Sequence, residues 1–359
     1  MPYITDMFHD QNGAFERAND AEIKAVSTAF DHDRFVARLE ERILGQPDAV
    51  RAVARAVSIA RAGVADPGRP LASVLLVGPT GVGKTELVRQ IAAQIRSGPD
   101  DLCRIDMAAL AQEHYAASFS GAPPGYAGSK ESFTLFDKNK IEGDYYTPGI
   151  VLFDEVEKAD STVIRSLLHV LDSGELRLAN GRERISFRNC YIFMTSNLGS
   201  KDVAAAQRAV RRRSRWERLQ NTLGMAKNSS GDAQGKVAAA VEDFFDPEFF
   251  NRIDEMVIMK PFEISTARQV TEREVGLLAA RLRRESVELR VHHAVIDFLH
   301  DCGFDPIYGA RGLRRTIRTH LIAPVAECIS RCRSTMANPI VVEATLANGA
   351  VVANLVAED

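Results

Sequence analysis

The stretch Gly78 to Thr85 reads GPTGVGKT and fits the spacing G-x-x-x-x-G-K-[ST]. Glycines allow the backbone to curl until several N–H groups converge on one anion. Lys84 would neutralise the outer phosphates of a nucleotide, and the Thr85 hydroxyl is a hard oxygen suited to Mg²⁺. Pro79, Thr80, Gly81 and Val82 complete the cradle between Gly78 and Gly83. A second stretch, IVLFDE, ends on Asp154 and Glu155 after an apolar run. Alone, such a carboxylate pair is an ordinary surface turn. Beside a phosphate loop it can serve ATP hydrolysis, with Asp154 holding Mg²⁺ through water and Glu155 orienting and polarising the attacking water.

These residues need a frame that brings them together. An apolar run at Ser73 to Val77 precedes the glycine loop, and a helical pattern at Thr85 to Arg96 follows it. Further strand-like runs fall at Leu102 to Ile105, Ile150 to Phe153, Cys190 to Met194 and Met256 to Met259, with a helix at Ser161 to Leu171. Strands that alternate with helices predict a parallel sheet covered on both faces. In such sheets, ligands bind at the carboxyl ends of the strands. Upstream, a helical pattern starts at Asp33, and Pro47 opens a second helix whose Val50, Val53, Ala54 and Val57 share a face.

After Lys260-Pro261-Phe262 the pattern changes to helices at Ser265 to Arg284, His293 to Asp301 and Ala310 to Arg331. A β-hairpin, Ile340 to Ala357, turns at Asn348-Gly349. The expected division is a polar arm over 1–30, a large α/β domain over 31–262 and a small helical domain with the hairpin over 263–359. Residues 201–235 read as an insertion in the large domain: an Arg-rich solvated helix (Arg208 to Arg215), then a loop through NSSGDAQG.

Composition narrows the function classes. The chain has 359 residues, 45% of them hydrophobic, and a net charge of −3, which by itself implies neither a nucleic-acid nor an anionic-membrane surface. No secretory leader and no spanning helix are expected. The five cysteines form no C-x-x-C pair and read as small buried apolar residues in a reducing, cytoplasmic compartment.

Taken in order, ILGQPDAV, RPLASVLLVGPTGVGKTEL, GAPPGYAG, DEVEKAD, the segment from Ser166 to Ser200, FFDPEFFNRIDE and YGARGLRR resemble the AAA+ ATPases of the Clp unfoldase and disaggregase family. The likeness is to that family's C-terminal ATPase module and runs from about Phe35 to Val356. It implies further roles. Asn197 matches the sensor that positions the attacking water. Arg252 matches the finger that reaches the ATP of the neighbouring subunit, the alternative being an ion pair with Asp254 or Glu255. Arg311 matches a second sensor on the lid. Ile43 and Leu44 match the residues that sandwich adenine, and both also suit a helix-end core.

The resemblance also bears on SGAPPGYAGSKESF, a glycine- and proline-rich loop around one tyrosine. In the family this loop lines the pore of a ring, commonly a hexamer, so Gly125, Tyr126, Ala127 and Gly128 would grip a polypeptide threaded through it. The implied partners are protein clients and further copies of the chain. The sequence departs from the pattern at Ala127, where the family has valine, and at Asp106 to Ala109, DMAA instead of DMSE. It carries one ATPase module where the family commonly has two. Leu223-Gly224-Met225 lies where protease-associated relatives carry a peptidase-docking loop, and a bland loop is the competing reading. Two other classes remain: a nucleic-acid remodeller, disfavoured by the apolar loop, and an assembly switch that acts on one dedicated partner.

Overall fold

The computed structural model describes residues 30–112, 119, 135–177, 184–199, 230–304, 309–332 and 340–356. The loop Gly125 to Gly128, the Arg208 to Arg215 cluster and Leu223-Gly224-Met225 lie outside them.

Five strands form the main sheet: β1 (Ala72–Val77), β2 (Cys103–Asp106), β3 (Gly149–Asp154), β6 (Cys190–Ser196) and β7 (Glu255–Ile258). Their order is β2-β3-β6-β1-β7, and every pairing is parallel. β1, β3 and β6 are buried along their whole length because helices cover both faces. The strand period sends alternate residues to opposite layers. On one side Leu75, Val151, Phe153, Ile192 and Met194 pack with Val163, Leu167 and Val170 of α5 (Ser161–Ser173). On the other, Val74, Leu76, Ile150, Leu152 and Phe193 pack with three helices: α1 (His32–Arg42), α2 (Pro47–Arg61) and α3 (Lys84–Ile95). Each fully buried Val, Leu or Ile contributes roughly 1.5–3 kcal/mol.

Short elements fill the connections: α4 (Lys138–Glu142), a hairpin of β4 (Glu175–Arg177) and β5 (Arg184–Ser186), α6 (Ser230–Phe244) and α7 (Pro247–Phe250). α6 corrects the sequence reading, which placed a loop through Gly235. Val237, Val241 and Phe245 recur every four residues and bury in the sheet's core. That gain outweighs the cost of glycine in a helix, about 1 kcal/mol.

Beyond Phe262 come α8 (Ile264–Arg284), β8 (Val287–Val291), α9 (His293–Gly303), α10 (Gly309–Ile317), a widened turn at Arg318–Ile322, and α11 (Ala323–Cys332). The widened turn precedes Pro324, which lacks an N–H to donate. β9 (Ile340–Ala347) and β10 (Ala350–Leu355) are the expected hairpin, with Asn348 at φ 51° and Gly349 at φ 75° in its turn. β8 was not anticipated; it pairs in parallel with β9 and closes a small sheet, β10-β9-β8. Val275, Leu278, Val295, Leu299, Leu321 and Val342 form a separate core there.

The cysteines divide. Cys103 and Cys190 are buried as expected, but Cys302 is exposed on α9. Among the described residues, no helix is long and apolar enough to cross a membrane.

One close approach sets the start of β3. A Cβ on Gly149 would lie 1.8 Å from the Ile141 carbonyl oxygen. Backbone cannot yield as a side chain can. Gly149→Ala should therefore lose about 1–3 kcal/mol or more and lower the thermal midpoint by roughly 2–10 °C. An unchanged midpoint in a thermal melt would contradict this packing.

Candidate nucleotide site

Register aligns the carboxyl ends of the three central strands. Val77 pairs with Ser196, and Phe153 with Met194. Gly78, Glu155 and Asn197 therefore leave the sheet side by side. Gly78 turns away at φ 154°, and a Cβ there would meet the Met259 carbonyl oxygen at 2.5 Å. Gly83, at φ 105°, caps α3 with no side-chain hydrogen bond, so the helix opens with its amides directed into the loop. The result is a cavity of about 440 Å³ lined by Thr80 to Glu86 and by residues of the sheet and the C-terminal helices.

Lys84 is the centre of this cavity and only 8% exposed. Its Nζ donates to Gly78 O at 2.6 Å, Pro79 O at 2.8 Å and Asn197 Oδ1 at 2.8 Å. Burial lowers its pKa to about 8, opposed by the carboxylates of Glu157, Asp154 and Glu155; the Arg311 charge adds to the lowering.

Asp154 is held at both oxygens. Thr195 Oγ1 donates to Oδ1 at 2.5 Å. Oδ2 accepts from Arg104 Nη2 at 2.6 Å and Nε at 3.1 Å, and the Thr85 hydroxyl lies 3.5 Å from the same oxygen. A carboxylate and a hydroxyl facing one point form the oxygen-only donor set that suits Mg²⁺. Glu155 occupies the left-handed region, φ 59°, which costs a non-glycine residue of order 1 kcal/mol. Its N–H donates to Thr195 Oγ1 at 2.9 Å, so one buried hydroxyl fixes both acidic residues.

Asn197 links the glycine loop to the acidic residues. Besides accepting from Lys84, it accepts from Thr80 Oγ1 at 3.4 Å, and its Nδ2 donates to Glu155 Oε1 at 3.3 Å. Glu157 Oε1 receives both the Asn197 backbone N–H, at 3.1 Å, and Nδ2, at 3.3 Å.

The C-terminal helices close the other wall. The Ala310 N–H donates to Gly81 O at 3.1 Å, and a Cβ on Gly309 would come within 2.8 Å of that oxygen. Arg311 lines the cavity from α10. Ile43 and Leu44 line it too: Ile43 belongs to the sheet-side core, while Leu44 packs with Val270 and Leu313. Each residue thus both lines the cavity and packs in a core. Buried Gln46 ties this corner to the strand exit, donating to Lys260 O at 2.6 Å and accepting from Lys260 N at 3.1 Å.

Arg252 stands apart and does not line the cavity. Neither anticipated partner holds its side chain. Asp254 binds Ser73, and Glu255 pairs with Arg55. Arg252 Nε instead lies 3.0 Å from Asp172 Oδ1, an ion-pair distance at an angle too poor for a hydrogen bond.

Three contributors escaped the sequence reading: Thr195, Arg104 and Glu157. Thr195 fell just beyond the expected strand end, although a threonine closing an apolar strand was a usable signal. Arg104 and Glu157 carry charges that only the tertiary structure aims inward.

Residues 69–256 match the AAA domain (Cdc48 subfamily), and residues 263–342 match the C-terminal, D2-small domain of ClpB protein. The chain belongs to the AAA+ ATPases of the Clp family. An ATP-dependent protease ATP-binding subunit-like protein of Rhodococcus erythropolis is 59% identical, covering 96% of each chain. The similarly described AmiB of Pseudomonas aeruginosa is 41% identical, over 91% of this chain and 92% of its own. Chaperone protein ClpB 1 of Thermosynechococcus vestitus is 39% identical over 82% of this chain, which spans only 31% of that relative. The parallel sheet, the helical C-terminal part and the ATPase assignment thus agree with the family.

The contacts of Glu157 make it the orienting group for Asn197. Hydrogen bonds to charged groups contribute about 1.5–3 kcal/mol. Glu157→Ala should slow ATP turnover about tenfold to a hundredfold while a fluorescent nucleotide still binds. Glu157→Gln, which keeps an acceptor, should recover most of the rate. Equal turnover in the alanine variant and the parent would refute the role.

Proposed function

We propose that this chain is an ATP-driven protein-remodelling motor whose catalytic residues are those gathered around Lys84. The observation that carries the reading is the convergence of Lys84, Asp154, Glu155 and Asn197 at the carboxyl ends of β1, β3 and β6, beneath Arg311. Residues 31–262 act as the ATPase domain, 263–359 as its lid and 1–30 as an arm.

In this reading the loop amides from Gly78 to Gly83 and the Lys84 ammonium bind the phosphates, and Ile43 and Leu44 hold the adenine. Asp154 and Thr85 would hold Mg²⁺, which when bound neutralises phosphate charge. Glu155 accepts a proton from the attacking water as its oxygen bonds to the γ-phosphorus. The bond from that phosphorus to the β–γ bridging oxygen breaks, releasing ADP and phosphate. Asn197 aligns that water, and Arg311 reports phosphate loss to the lid through α10. Arg252, which does not line its own cavity, serves the site of an adjacent copy.

That last role implies a ring, for which six copies is the number the family suggests. Relatives named for chaperones and for protease ATP-binding subunits support protein clients. Gly125, Tyr126, Ala127 and Gly128 would line the pore and grip a client by apolar contact and stacking. A peptidase or an adaptor is the further partner class, with the cytoplasm as the compartment.

Glu155→Gln should retain ATP binding and lose at least about a hundredfold in turnover; full turnover would overturn the active-site assignment. Tyr126→Ala should keep ATPase activity and lose unfolding of a tagged fluorescent substrate. A parallel loss of both activities would make the loop a structural element and end the threading reading.

A further inference from the structure

Among the described residues, Arg104 is the cation that competes directly for the oxygen assigned to metal. It lies on β2, next to β3, where register pairs Arg104 with Leu152 and Asp106 with Asp154. Both Nε and Nη2 converge on Asp154 Oδ2, and that oxygen also faces the Thr85 hydroxyl. The other oxygen, Oδ1, is taken by the buried Thr195 hydroxyl, so the carboxylate cannot rotate to offer a second open face. A divalent ion approaching Oδ2 from Thr85 meets a guanidinium within hydrogen-bonding distance of the same atom. Like charges that close repel, and two donors must be released before the oxygen can turn its lone pairs to the ion.

The two partners differ in freedom. The Asp154 side chain is 11% exposed, whereas that of Arg104 is 54% exposed. Arg104 can therefore swing into solvent without disturbing the core. Asp154 cannot move.

We propose that Arg104 is a latch on Asp154. It satisfies the carboxylate until a divalent cation displaces it, and so raises the Mg²⁺ concentration at which the site loads. This inference rests on the assignment of Asp154 and Thr85 to the metal. Because Arg104 is half exposed, the hold is modest, and its removal should shift loading by about twofold to fivefold.

The test titrates Mg²⁺ into the full chain with a fluorescent ADP analogue and measures equilibrium binding, with an EDTA series alongside. In Arg104→Ala the half-saturating Mg²⁺ concentration should fall about twofold to fivefold, while affinity in EDTA stays within about twofold of the parent. Arg104→Lys, which keeps a charge but loses the two-point hold, should fall between them. Unchanged Mg²⁺ demand in Arg104→Ala overturns the latch. Increased demand, or lost affinity in EDTA, also overturns it and makes the guanidinium a phosphate ligand. A parent protein whose nucleotide binding ignores Mg²⁺ would instead sink the metal assignment, so the two failures are distinguishable.

Discussion

A buried ammonium group organises this molecule. Lys84 sits almost out of solvent, where an isolated charge would be very costly, and its pKa falls to about 8 because burial outweighs the surrounding stabilisation. Two loop carbonyls, one amide oxygen and three carboxylates keep it charged enough to meet phosphate. Each of these groups must be delivered to within a few tenths of an ångström. The parallel sheet does this by ending β1, β3 and β6 at a common level.

Polar side chains then link these ends into a network. Thr195 joins Asp154 to the Glu155 backbone, Asn197 joins Lys84 to Glu155, and Glu157 orients Asn197. Hardly any member can shift alone. Hydrogen bonds linked in this way polarise and strengthen one another. The strained Glu155 backbone belongs to the same logic: its conformation aims the carboxylate beside Asn197 and out of the strand's alternating register.

The C-terminal helices couple to that network through few contacts. The hydrogen bond between Ala310 N–H and Gly81 O brings α10 onto the phosphate loop, and Gly309 is required because any side chain there would strike the loop backbone. Leu44 and Gln46 secure the opposite corner. A joint held by a few short-range contacts can transmit a small change at the phosphates as a larger movement of the helices.

The glycine loop with Lys84 and Thr85, the Asp154-Glu155 pair, the alternation of strands and helices, and the family were legible in the sequence. Local chemistry and short spacings carry those signals. Only the tertiary structure decided the rest. The five residues Val287–Val291 alternate like a strand, but they make one only because β9 arrives from the far end of the chain. The helix from Ser230 overrides glycine-rich local preference because its apolar face meets the sheet's core. Arg252 pairs with Asp172 and not with its own neighbours, and Arg104 reaches Asp154 across fifty positions of sequence. Charges act through space, and a sequence orders them only along the chain.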